Sequence, residues 1–302
     1  MSRWIRRIGF TIGAVVALIC IAVGVVYAVS ESRFRRTYSV PPEPVAVSTD
    51  SAVLARGEHL VSAIAGCADC HGEGLRGNVM IDASPMGRLV APNLTAGQGG
   101  IGAELTPAII ERAVRHGVGR NDRALRIMPS QDFQYMSDDD LRAVVSYVKS
   151  LPPANNQLSP SHLLLLPRAL MVAGVMPVLP AEVLRDSAAQ PMTVTPGPTP
   201  QYGAYIALVA GCKGCPGPGL SGGKIAAGDP AWGPAANLTP SGNLGTWTEA
   251  QFIQTLRTGK RPDGSALRDP MPWKTVGRMT DDELHALWLY LRSVPPRAFG
   301  SH

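Results

Sequence analysis

The run Cys67-Ala68-Asp69-Cys70-His71 decides how the rest of the chain is read. Two cysteines three positions apart, followed at once by histidine, have the spacing of a c-type haem attachment site. A helical turn presents both sulfurs to one edge of the porphyrin, where they add across its two vinyl groups. His71 then sits under the iron as the proximal ligand. A disulfide or half of a zinc site is the competing reading of a bare C-x-x-C pair. The adjoining histidine, and the residues downstream of it, favour haem.

A second axial ligand is expected downstream. Met128-Pro129 lies 57 residues after His71, in the loop between two expected helices. A thioether suits low-spin haem iron and raises its reduction potential, and the proline stiffens the loop. Met80 and Met86 come too early in the chain, and Met136 abuts a helix start, where a methionine is core filler. Thr106-Pro107 opens the helix before the loop and Gly117 closes it. Ser137-Asp138-Asp139-Asp140 opens the helix after it, with Leu141, Val144, Val145, Val148 and Leu151 on one face and Pro152-Pro153 as the stop. A further helix over Val53–Ala65 leads into the haem site. His59 and His116 read as structural.

The pattern recurs about 145 residues later. Cys212-Lys213-Gly214-Cys215 repeats Cys67–Cys70, Asn237-Leu238-Thr239 repeats Asn93-Leu94-Thr95, and Met271-Pro272 repeats Met128-Pro129. Offsets of 143 to 145 across a whole module mark an internal duplication. Pro216, however, stands where His71 would recur. Proline offers iron no lone pair and disfavours a helical conformation at Cys215. Three outcomes are open for this module: a disulfide between Cys212 and Cys215, haem held by the thiols with Met271 or a distant residue on iron, or a substituted position at 216. The haem-free or poorly loaded state is favoured, with Trp232, Trp247 and Trp273 partly filling the gap. His285 reads as surface.

Arg3, Arg6 and Arg7 precede 22 apolar residues, Ile8 to Val29, enough to span a hydrocarbon core. The early arginines should stay cytoplasmic. A cleaved signal peptide, with Val26-Tyr27-Ala28 before the cut, is the alternative to an uncleaved anchor. The formal net charge is +5, and residues 1–36, with six arginines and one glutamate, carry all of it. Nothing in the remainder argues for nucleic acid. The chain thus divides into an anchor (1–36), a tether (37–50, including Pro41, Pro42 and Pro44), a haem module (51–153), an apolar then Pro-rich linker (154–200) and a degenerate module (201–302). Residues 163–184 are strongly apolar, but Pro167, Arg168, Pro177 and Pro180 argue for a short broken helix lying across the domains or on the bilayer surface.

On Cys67-x-x-Cys70-His71, Pro92-Asn93-Leu94-Thr95, Met128-Pro129 and Leu151-Pro152-Pro153, the chain resembles bacterial membrane-anchored mono- and dihaem class I cytochromes c. It is similar to the cytochrome subunits of periplasmic alcohol and sugar-acid dehydrogenases. The resemblance covers residues 51–302 and implies an all-α fold with two tandem class I cytochrome c domains after one transmembrane helix. It also implies covalent haem c and single-electron transfer. The expected partners are redox proteins: a dehydrogenase, a quinol-linked complex or a terminal oxidase. The expected location is the cytoplasmic membrane of a bacterium, with the domains on the periplasmic side. The alternatives are a haem enzyme or gas sensor with an open iron site in the second module, a thiol–disulfide centre at Cys212 and Cys215, and a second module that docks the partner.

Overall fold

The computed structural model describes residues 3–41, 43–184, 189–226, 228–229 and 231–301. Pro42 of the expected tether and residues 185–188 of the expected linker lie outside the described residues. The first element is α1 (Arg3–Arg35), a single helix long and apolar enough to cross a membrane, with its apolar side chains exposed from Trp4 to Val29. Only its end is buried against protein, at Ser30 and Phe34.

The haem module begins with α2 (Ser51–His59), whose free N–H groups at Ala52 and Val53 are capped by the Asp50 carboxylate. A π-helical turn over Leu60–Ile64 follows, then α3 (Cys67–His71). A hairpin, β1 (Asn78–Ala83) and β2 (Gly87–Ala91), precedes α4 (Pro107–His116), α5 (Ser130–Phe133) and α6 (Asp138–Ser150). The starts of α4 and α6 are where Thr106 and Ser137 place them, each hydroxyl accepting a backbone N–H. A strand β3 (His162–Leu163) and two short helices, α7 (Leu165–Val172) and α8 (Pro180–Val183), carry the chain onward. The last stretch holds α9 (Pro200–Val209), α10 (Glu249–Thr258), α11 (Trp273–Val276) and α12 (Asp281–Ser293).

Glycine sets how closely the main helices cross. A side chain on Gly57 of α2 would run into the Ala143 carbonyl of α6, and one on Gly203 of α9 into the Ala286 carbonyl of α12. From these glycines the chain takes nine residues to Gly66 but eight to Gly211. The π turn in the haem module takes up the extra residue without moving the crossing. The helix expected over Val53–Ala65 is therefore present, with a changed winding in its second half.

One apolar core runs through both halves. Leu60, Ile64, Leu141 and Val145 share it with Tyr205, Ile206, Leu284 and Leu287. At its polar edge the halves are bolted together by charge. Arg56 makes two hydrogen bonds to Asp140, at 2.8 and 2.9 Å, and a third to Glu283 at 3.1 Å. His59 Nε2 is 2.6 Å from the other Glu283 oxygen, and the Tyr205 hydroxyl donates to Asp140 at 2.6 Å. His59 is structural, as expected, and its partner lies 224 residues away.

Burial works to raise the Glu283 pKa. The His59 hydrogen bond, the Thr280 N–H and the Arg56 charge outweigh it and bring it from 4.5 down to about 2. A depressed carboxylate pKa stabilises the fold above the unfolded value, and that stabilisation is lost as pH falls through the folded value. We expect ~3 kcal/mol of stability to disappear between about pH 5 and pH 2. Urea denaturation across that range should show it, with a smaller loss in Glu283→Gln; equal losses in both proteins would refute the assignment.

The all-α expectation needs one correction. The chain is mostly helical, but β1, β2 and β3 form a three-stranded antiparallel sheet in that order. Its third strand comes from the linker, with Gly87 opposite Leu163. Two residues contributed from 74 and 76 positions away leave no alternating pattern to read. The broken apolar segment packs Leu163, Met171, Val178 and Leu179 around Phe34 of α1.

Candidate functional site

The Cys67–His71 turn starts at Gly66 in a left-handed conformation (φ 60°, ψ 28°) and ends at Gly72, which has positive φ but an extended ψ (φ 74°, ψ 174°). The His71 Nδ1 lies 2.9 Å from the Pro92 carbonyl oxygen. A carbonyl only accepts, so Nδ1 carries the proton and Nε2 keeps its lone pair. Burial lowers the His71 pKa, against the pull of the Pro92 carbonyl. A neutral imidazole with one nitrogen fixed and the other free is the form that ligates a metal.

The loop that supplies this carbonyl is itself held. The Asn93 Oδ1 accepts from the Thr95 N–H at 2.9 Å, and its Nδ2 donates to the Ala154 carbonyl at 2.7 Å. The P-N-L-T motif thus ties the histidine support to the chain leaving α6. Cys67, Ala68, Leu94 and Met128 all pack against the common core. The cysteines are unbridged. Burial first, then the neighbouring Cys70, pushes the Cys67 thiol up to about 12. Among the described residues no cluster of three His, Cys, Asp or Glu side chains is placed to hold a metal ion. The residues fit haem: two thiols on one turn and an imidazole with a free Nε2.

Met128 is half-buried and follows Ile127, a non-glycine residue with positive φ (63°). The Ile127 N–H is tied to the Val178 carbonyl at 2.8 Å, so the linker pins the methionine loop. Of the rivals, Met136 is a core side chain with 1% exposure, Met86 lines a small apolar cavity beside Met176, and Met80 is in β1.

The second C-x-x-C keeps the frame and loses the ligand. Leu238 bonds to the Leu220 carbonyl as Leu94 does to Leu75, and Gly222 to the Pro216 carbonyl as Gly77 does to His71. The Asn237 side chain holds Thr239 and the Arg297 carbonyl, as Asn93 holds Thr95 and Ala154. Pro216 therefore conserves the backbone turn while removing the imidazole. It also lacks an N–H, and Cys212–Cys215 form turns where Cys67–Cys70 form a helix. Burial, and then the Asp132 charge, raise the Cys212 thiol to about 12. A thiol–disulfide centre needs the opposite shift. Met271 is 38% exposed, and His285 pairs with Glu249 at a partly exposed position.

Two further contacts between the halves, beside the Arg56 network, had no sequence signal. The Thr275 hydroxyl donates to Asp69 at 2.5 Å, inside the haem motif. Asp132 faces Gly211, and burial raises its pKa to about 6. Each joins residues whose separation in the chain hides the pairing.

Residues 52–148 match the family model described as cytochrome c oxidase, cbb3-type, subunit III. The chain is 30% identical over 279 residues to the cytochrome c subunit of alcohol dehydrogenase (quinone) from Gluconacetobacter polyoxogenes, covering 82% of this chain and 57% of that one. It is 34% identical over 114 residues to the fructose dehydrogenase cytochrome subunit of Gluconobacter japonicus, covering 34% of this chain and 24% of that one. Over 104 residues it is 33% identical to the gluconate 2-dehydrogenase cytochrome c subunit of Pantoea cypripedii, covering 32% and 23%. The chain spans little more than half the length of the alcohol dehydrogenase subunit. With the two thiols, the oriented imidazole and the family match on the same residues, the chain carries a c-type cytochrome domain, the kind that holds haem c covalently.

Proposed function

We propose that the protein is a membrane-anchored electron carrier with one haem c. Cys67 and Cys70 hold the porphyrin, His71 and Met128 occupy the two axial positions, and residues 201–302 form a second, degenerate cytochrome c domain. The observation that carries this reading is the His71 ring, with Nδ1 fixed on the Pro92 carbonyl and Nε2 left for iron. Haem c supplies reversible one-electron chemistry when bound. With both axial positions filled by protein, the iron has no open position for a substrate, and the protein transfers electrons without itself catalysing a reaction.

The relatives are cytochrome subunits of dehydrogenases, which supports a periplasmic dehydrogenase as electron donor. The acceptor is then a quinol-linked complex or a terminal oxidase. The length and exposure of α1 support an uncleaved anchor in the bacterial cytoplasmic membrane, with the domains on the periplasmic side. Ser30 and Phe34, close to the alternative cleavage site, are buried against the domain and support continuity of this helix.

The test is haem per chain on matured protein, by intact mass and pyridine haemochrome together. One haem is expected. Two would assign haem to Cys212 and Cys215 despite Pro216, and rapid carbon monoxide binding by the reduced protein would then favour the open-site reading.

A further inference from the structure

The linker exposes an apolar strip at the end of α1. Leu164, Leu165 and Leu166 are 39%, 38% and 42% exposed, and Val175 is 58% exposed. The other side of α7 is satisfied, with Pro167 and Met171 buried. The strip is therefore not surface left over from a poorly packed helix.

Its height along α1 is fixed by several contacts. Arg168, on α7, donates to the Ser30 hydroxyl at 2.8 Å. Its guanidinium lies 4.9 Å from the Tyr27 ring centre and 5.1 Å from that of Phe34. Arg33 donates to the Met171 carbonyl at 2.8 Å and pairs with Glu182 of α8. Tyr27 is two residues from the end of the apolar run of α1. Tyr27 to Phe34 rises ~10 Å, about the depth of one headgroup region with the first carbons below it. Helix α7 is clamped to α1 within that layer.

The charges agree. Among the described residues, Arg36, Arg123 and Arg126 have no carboxylate partner, while Glu31 and Glu182 are engaged by Arg35, Arg168 and Arg33. Arg126 lies over the Phe34 ring at 4.4 Å. Leucines directed outward at this level, with guanidinium groups that have no carboxylate partner and the exposed Tyr27 ring at the end of the apolar run, suit the boundary of an anionic bilayer.

We propose that residues 164–175 insert into the leaflet from which α1 emerges, as a second membrane contact with the arginines on anionic headgroups. This rests on the reading of α1 as a membrane span. Two contacts, one transverse and one interfacial, fix the tilt of the haem module over the bilayer, which a single helix alone does not.

The test uses full-length, haem-loaded protein in nanodiscs of phosphatidylethanolamine and phosphatidylglycerol. A photoreactive benzophenone side chain replaces Leu166, Val175, Leu18 of α1 or the exposed Gln254 of α10, and lipid adducts are read by intact mass. Adducts at positions 166 and 175 should exceed those at 254 by about tenfold or more. Adducts at 18 but at background level at 166 and 175 would overturn the interfacial contact and leave the anchor standing. Background at 18 as well would overturn both. Crosslinking of 166 and 175 to a protein in native membranes, with no lipid adduct, would make the strip a protein-docking face and overturn the proposal.

Discussion

Met128→Ala should abolish the sulfur-to-iron charge-transfer band at the red end of the oxidised spectrum, while Met271→Ala should leave it intact. The band requires a thioether on ferric haem iron. Under the proposed ligation Met128 supplies it; its loop is held by the Ile127–Val178 hydrogen bond and its side chain packs against the same core as Cys67. Loss of the thioether also lowers the reduction potential, by on the order of a tenth or more of the ~0.8 V range that axial ligands control. Met128→Ala opens the sixth position, so the reduced variant should bind carbon monoxide where the parent does not. A band that survives Met128→Ala would reassign the ligand, with Met80 and Met86 next to be replaced.

Pro216→His should raise haem from the one per chain proposed here to two. The substitution completes a second C-x-x-C-H run, and the frame around it is already in place. The Pro216 carbonyl accepts from Gly222 at 3.0 Å, as that of His71 accepts from Gly77 at 2.7 Å. The orienting acceptor on His71 is a backbone carbonyl, a group every residue supplies, and Ala236 stands at the position equivalent to Pro92. The substitution also restores the N–H that Pro216 lacks, allowing the cysteine turn to become helical. The measurement is intact mass with pyridine haemochrome on parent and variant matured in the same cells. Haem that stays at one per chain would show that position 216 is not what keeps the second module empty. A parent already at two would show that attachment there needs no histidine.

Much of this protein is legible in its sequence because the signals are local. Cys67, Cys70 and His71 are adjacent, so their chemistry is fixed by spacing alone. Thr106, Pro107, Ser137 and Pro152 mark helix ends because capping is satisfied within a few residues. The apolar run Ile8–Val29 identifies a membrane-length helix by composition.

Only the tertiary structure decided what depends on residues far apart. The free lone pair of His71 follows from a carbonyl 21 residues away, and the P-N-L-T motif acquires its reason from Ala154. The Arg56–Asp140–Glu283 network joins positions up to 227 residues apart, and Arg56 read alone is an ordinary helix arginine. The sheet escaped because its third strand is two residues of linker, and the π turn because winding leaves no mark on composition. Residues 163–184 are apolar in the sequence, but only the fold divides them into a buried side against Phe34 and an exposed strip near the end of α1. Spacing fixes chemistry carried by neighbouring residues; burial and long-range pairing appear only when the chain closes on itself.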